Sequence, residues 1–116
     1  MMSHLKIKAL NFKKKYKLKN GDSILDIGSN DGTFLAFFNK NFSLFGCDPT
    51  IKKFGKFYRN DITKIQNFFS SSLFKNIKFD LITSISMFYD LPDPLKFAKE
   101  INSILKKDGV WHIELS

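Results

Sequence analysis

Apolar residues along the chain fall into short blocks separated by polar turns. Ile24, Leu25 and Ile27 make a compact run suited to a parallel strand covered on both faces, and Gly28 ends it where the backbone must turn sharply. Ser29, Asn30, Asp31 and Gly32 follow as a tight polar loop. From Thr33 onward, Phe34, Leu35, Phe37 and Phe38 read as a helix whose first turn faces whatever occupies that loop. Phe42, Leu44 and Phe45 supply a second strand, Phe54 to Arg59 a short third, and Thr63 to Leu73 a loosely patterned helix or loop. Phe79 to Ser84 is another apolar strand.

Asp93 and Pro94 read as an N-cap and first-turn proline, ahead of a helical stripe of Phe97, Ala98, Ile101, Ile104 and Leu105. Lys106, Lys107, Asp108 and Gly109 are expected to end that helix at a glycine turn, before a last strand through Val110, Trp111, Ile113 and Leu115. Upstream, His4 to Leu18 predicts a basic amphipathic helix, and Asn20, Gly21 and Asp22 a turn. The expected division is a basic N-terminal helix over 1–20 and a single domain over 21–116. Strands alternating with helices predict an α/β, Rossmann-like, doubly wound parallel sheet.

The glycine loop carries the chemistry. In a dinucleotide fold the G-x-G-x-x-G turn lets helix N–H groups approach a pyrophosphate. Here the spacing is G-S-N-D-G, with Asp31 at the helix start and Asp26 in the strand before it. Two like charges about 4 Å apart repel by roughly 4 kcal/mol at an effective dielectric near 20, a large penalty for a site meant to hold an anion. A ligand bearing an ammonium or sulfonium group avoids that penalty. Asp48 follows the second strand about 20 residues past Gly28, the distance expected of an acid that binds ribose hydroxyls. Adenosine joined to a cationic, amino-acid-like tail describes S-adenosylmethionine (SAM) better than a nicotinamide or a flavin.

These residues resemble the class I SAM-dependent methyltransferases, and among them the sugar C-methyltransferases of nucleotide-activated deoxysugar pathways. DIGSNDGTFL resembles the first motif of that family and FGCDPT its ribose-binding segment; SMFYDLPDPLKFAKEINSILKKDGVWHIELS resembles the region from the fourth strand to the fifth. The resemblance implies that Asp26, Gly28, Ser29, Asn30 and Gly32, with Asp31 among them, cradle the methionine end of SAM. It implies that Asp48 and Pro49 lie at the ribose, Asp61 and Ile62 at the adenine amino group, and Ser84, Ser86 and Met87 near the reactive methyl. It also implies five strands in the order 3-2-1-4-5, without the sixth and seventh strands usual in the family. The acceptor implied is a small molecule, a nucleotide sugar among the candidates.

Full-length sugar C-methyltransferases resemble a three-part chain with a zinc module and a C-terminal acceptor domain, and neither has a counterpart in this sequence. Cys47 is the single cysteine, and with His4 and His112 it forms no zinc pattern, so no metal site is expected. No catalytic base is assigned, because the family's base residues lie past the fifth strand. A strand ending near Leu115 leaves an open edge that invites pairing. The expectation is therefore a truncated methyltransferase, or one completed by a partner chain or a second copy. A non-catalytic SAM-binding remnant or subunit is the first alternative reading.

Charge supplies the other alternative, a basic module that contacts nucleic acid. The chain carries a formal net charge of +8, with a cluster at Lys13, Lys14, Lys15, Lys17 and Lys19. Arg59 is the only arginine among 19 basic residues, which argues against nucleic-acid readout. Abundant Lys, Phe, Ile and Asn fit an AT-rich genome instead. Lys6 and Lys8 interrupt any secretion-type apolar run, and no stretch approaches a membrane span, so a cytoplasmic protein is expected.

Overall fold

A computed structural model describes residues 2–85 and 93–114, with side chains from Lys6 onward. Five parallel strands form one sheet in the order β3-β2-β1-β4-β5. They are β1 (Ser23–Ile27), β2 (Ser43–Cys47), β3 (Thr63–Ile65), β4 (Phe79–Ile85) and β5 (Leu105–Glu114). Helices α1 (Met2–Lys15) and α3 (Pro94–Ser103) flank the sheet, with a single turn, α2, at Ile51–Phe54. The sheet order is the one expected. β1 lies at its centre, pairing from Ser23↔Ser43 to Ile27↔Cys47 with β2 and from Ile24↔Leu81 to Ile27↔Ser84 with β4. A strand paired on both edges and covered on both faces needs an apolar run, and Ile24, Leu25 and Ile27 are all buried.

Two apolar clusters form on opposite faces of the sheet. One gathers Phe12 of α1 with Ile24, Phe34, Leu35, Phe38, Leu44 and Leu81. The other gathers Leu25, Ile27, Phe79 and Ile82 with Phe97 and Ile101 of α3. Asp93 caps α3 by accepting from the Lys96 N–H at 3.1 Å, and Pro94 occupies the first turn, as the sequence predicts. Helix α1 is fastened to β5 by polar contacts as well. Tyr16 Oη and His112 Nδ1 are hydrogen-bonded at 2.7 Å, His112 Nε2 meets Glu114 Oε2 at 2.9 Å, and Lys8 pairs with Glu114. Burial raises the Glu114 carboxyl, but the Lys8 ammonium and the His112 ring outweigh it and hold the group below its ordinary value.

Three expectations are corrected. The residues after the glycine loop do not extend into a helix; Leu35–Phe37 form one 3₁₀ turn, and Phe38 is already extended. Arg59 explains the stop: its guanidinium donates to the carbonyls of Ala36 at 2.9 Å and Phe38 at 2.6 Å, oxygens that a longer helix would pair internally. Phe54 to Arg59 is not a strand either, since Phe54 closes α2 and Gly55–Phe57 is another 3₁₀ turn. The third strand is Thr63–Ile65, paired as Phe45↔Thr63 and Cys47↔Ile65. Finally, Lys106 to Gly109 do not end α3, which stops at Ser103. They form an excursion within β5, where the pairing jumps from Phe79↔Leu105 to Leu81↔Val110. A Cβ on Gly109 would stand 2.8 Å from the Phe79 carbonyl oxygen, so only glycine fits there.

Candidate functional site

Ligands of open parallel sheets bind beyond the carboxyl ends of the strands, where the strand order reverses. In this sheet that place lies between the ends of β1 and β4. The loop after β1 curls tightly because Gly28, Asn30 and Gly32 all hold left-handed backbone, with φ of 76°, 55° and 79°. Gly28 N–H donates to the Cys47 carbonyl at 2.8 Å, and Gly32 N–H to Ser29 at 2.9 Å. The loop is thereby bound to the end of β2. Asp48 follows immediately: its Oδ2 accepts the Asn30 N–H at 2.8 Å, and its Oδ1 accepts the Thr50 N–H at 2.8 Å and hydroxyl at 2.7 Å. Oδ2 keeps a lone pair for a further donor.

Asp26 sits beneath the loop, on β1 opposite Thr83 of β4. It is buried, and its Oδ1 accepts the Thr83 hydroxyl at 2.7 Å. Burial raises this carboxyl from 3.8 to about 7; the Thr83 hydrogen bond opposes the rise and the Asp48 charge adds to it. Asp31 turns back on its own loop, with Oδ1 accepting the Thr33 N–H at 3.1 Å and hydroxyl at 2.6 Å. Among the described residues, no lysine or arginine forms an ion pair with Asp26, Asp31 or Asp48. This set of acidic acceptors fits the cationic, phosphate-free tail of SAM and opposes a pyrophosphate.

The other expected residues divide. Pro49 follows Asp48 on the exposed rim. Ser84 is fully buried, and its Oγ accepts the Trp111 indole N–H at 3.1 Å, on the α3 side of the sheet. Ser86 and Met87 lie outside the described residues. Asp61 and Ile62 precede β3 and therefore stand at its amino end, away from the cleft. Asp61 is paired with Arg59, whose guanidinium holds its carboxyl below the ordinary value, and Ile62 is buried in the apolar cluster on the α1 face.

Several cleft residues escaped the sequence reading. Thr83 could have been noticed as a polar residue inside the apolar run DLITSI. Tyr58 gave no signal; its ring is buried, its hydroxyl donates to the Asn30 carbonyl at 2.7 Å, and it accepts from Ser29. Gln66, Asn67 and Phe68 follow β3 at its carboxyl end. Their backbone is tied to the end of β2, because Asp48 N–H donates to Ile65 at 3.1 Å and the Cys47 thiol donates to the Asn67 carbonyl at 3.3 Å. Burial, reinforced by the Asp48 charge, pushes that thiol up to about 12, so it stays protonated. Phe68 is 75% exposed beside this edge.

Comparison with known proteins agrees with this geometry. A curated tRNA U34 carboxymethyltransferase of Campylobacter lari is 34% identical over 110 residues, covering 81% of this chain and 35% of the relative. The structure is similar to that of a proposed SAM-dependent methyltransferase of Methanococcus maripaludis, with a TM-score of 0.76 and 23% identity, covering 94% of this chain and 54% of the other. It is also similar to the plantazolicin methyltransferase BpumL, crystallised with a pentazolic desmethylPZN analogue and S-adenosylhomocysteine (SAH), with a TM-score of 0.74 and 21% identity over 97% of this chain and 45% of that one. The structural likenesses show the fold, and the chain spans about a third to a half of these relatives. The model of a family described as a methyltransferase domain matches residues 3–116, and with it the five-stranded sheet and its acidic glycine loop place this chain in the class I SAM-dependent methyltransferases.

Proposed function

We propose that this chain binds SAM and forms the donor half of a methyl-transfer site. The observation that carries the reading is the Asp48 carboxylate, fixed by the Asn30 N–H at the mouth of a loop whose other charges are also acidic. Asp48 would hold the ribose diol. Asp26 and the loop Gly28, Ser29, Asn30, Asp31 and Gly32 would hold the methionine end. Pro49 and Phe68 would flank the adenine, taking the part first expected of Asp61 and Ile62. When bound, SAM supplies a methyl group on a positively charged sulfur; the protein's share is to orient it and to exclude water from the sulfonium.

For the acceptor we infer a small molecule, with a nucleotide-activated deoxysugar as the first compound to try. The S-N-D-G loop and the FYDLPDP segment support it through their resemblance to sugar C-methyltransferases. A second reading, an RNA acceptor, is favoured by the tRNA-modifying relative and by a stretch with no acid before Asp22 that holds Lys13, Lys14, Lys15, Lys17 and Lys19. The outer edge of β5 would take further strands or a partner chain, since neighbours of the same fold are about twice as long.

SAM is expected to raise the melting temperature of the wild-type chain, and Asp48→Ala to abolish that rise. An equal rise in both would remove Asp48 from the site. Methyl-labelled SAM offered with deoxysugar nucleotides or with tRNA sorts the two acceptor readings by which one takes up label.

A further inference from the structure

We propose that the Tyr58 hydroxyl is a positioning group for the donor loop, holding Asn30 in the left-handed conformation that presents its N–H to Asp48; the proposal rests on the SAM reading above. Tyr58 lies between the 3₁₀ turn Gly55–Phe57 and β3, well outside the loop in sequence. Its ring enters a slot that only glycine leaves open. A Cβ on Gly32 would stand 2.9 Å from the ring, and a Cβ on Gly46 would stand 2.9 Å from it on another side. This placement brings the hydroxyl to the Asn30 carbonyl at 2.7 Å.

A phenol has one proton to give. Because Tyr58 donates it to Asn30, the Ser29 hydroxyl must donate to Tyr58, and the three groups form one directed chain. The Asn30 residue is then held on both sides, its carbonyl by Tyr58 and its N–H by Asp48 Oδ2 at 2.8 Å. Asn30 is itself exposed and has φ of 55°, so burial does not impose its conformation. Burial pushes the Tyr58 hydroxyl up to about 12; the Ser29 hydrogen bond opposes this, and the charges of Asp48, Asp26 and Asp31 add to it. The phenol thus stays a donor at any pH the protein meets. With that bond lost, Asn30 is free to leave the left-handed region and Asp48 loses its loop partner.

Titration calorimetry of the whole chain with SAH tests this. Tyr58→Phe keeps the ring in its slot and is expected to fold with a cooperative melt, yet to bind SAH about tenfold more weakly. Hydrogen exchange supplies the second readout: the Asn30 amide is expected to exchange about tenfold faster in Tyr58→Phe, while the Leu25 amide of β1 keeps its wild-type rate. A merely structural hydroxyl predicts that both amides change together or that neither does. Unchanged affinity in Tyr58→Phe, or an Asn30 amide that exchanges as in the wild type, overturns the proposal. Asp48→Ala separates the two levels. If it abolishes SAH binding while Tyr58→Phe does not alter it, only the Tyr58 role falls; if the wild type itself fails to bind SAH, both fall.

Discussion

A carboxyl group enclosed between two strands, with a single hydroxyl as its partner, gives up its proton late, and Asp26 is such a group. Its folded value of about 7 stands above the unfolded value of 3.8, so the folded state holds the proton more tightly than the unfolded one. The sign follows: the stability linked to this proton is full below about pH 4 and is lost as the pH rises through about 7. Asp26→Asn is expected to flatten that part of the profile and to gain on the order of 2–4 kcal/mol over wild type at pH 8. Urea melts at pH 5 and pH 8 measure it, and an equal effect at both values would contradict the assignment. A cationic ligand favours the ionised form, so SAM affinity should rise between pH 6 and pH 8 in the wild type and not in Asp26→Asn. A positive charge bound beside this acid would offset the cost that burial places on its ionised form.

Among the elements, those that announced themselves in the sequence are the ones whose surroundings are uniform along their length. β1 and β4 are apolar because neighbours cover both faces, and α3 shows its cap, its proline and its buried stripe of Phe97 and Ile101. β3 stayed hidden because three residues at a sheet edge, mostly exposed, carry no pattern to read. The turn after Gly32 was misread because its stop signal, the Arg59 guanidinium on the Ala36 and Phe38 carbonyls, comes from a distant part of the chain. Misplacing β3 also set Asp61 and Ile62 beyond its carboxyl end, whereas they precede its amino end. The place of Asp48 at the end of β2 was legible in the sequence, whereas that of Tyr58 was not, because it depends on where two glycines admit a ring. Asp61→Asn is expected to change SAH affinity by less than about twofold, while Phe68→Ala is expected to weaken it by about tenfold through lost stacking. The reverse ranking in a calorimetric titration would return the adenine to the amino end of β3.

For the molecule as a whole, charge is distributed by task. The chain is strongly basic, yet the edge that would receive SAM carries Asp26, Asp31 and Asp48. Lysines Lys8 and Lys106 instead pair with Glu114 and Asp80. No helix among the described residues is long and apolar enough to cross a membrane. A parallel sheet with an acid-lined glycine loop at its switch point separates this site from a dinucleotide site of the same general fold. A calorimetric comparison of SAH and NADH on the purified chain at equal concentrations measures that separation directly. Saturable heat with SAH and none with NADH is the predicted result; uptake of NADH in preference to SAH would contradict it.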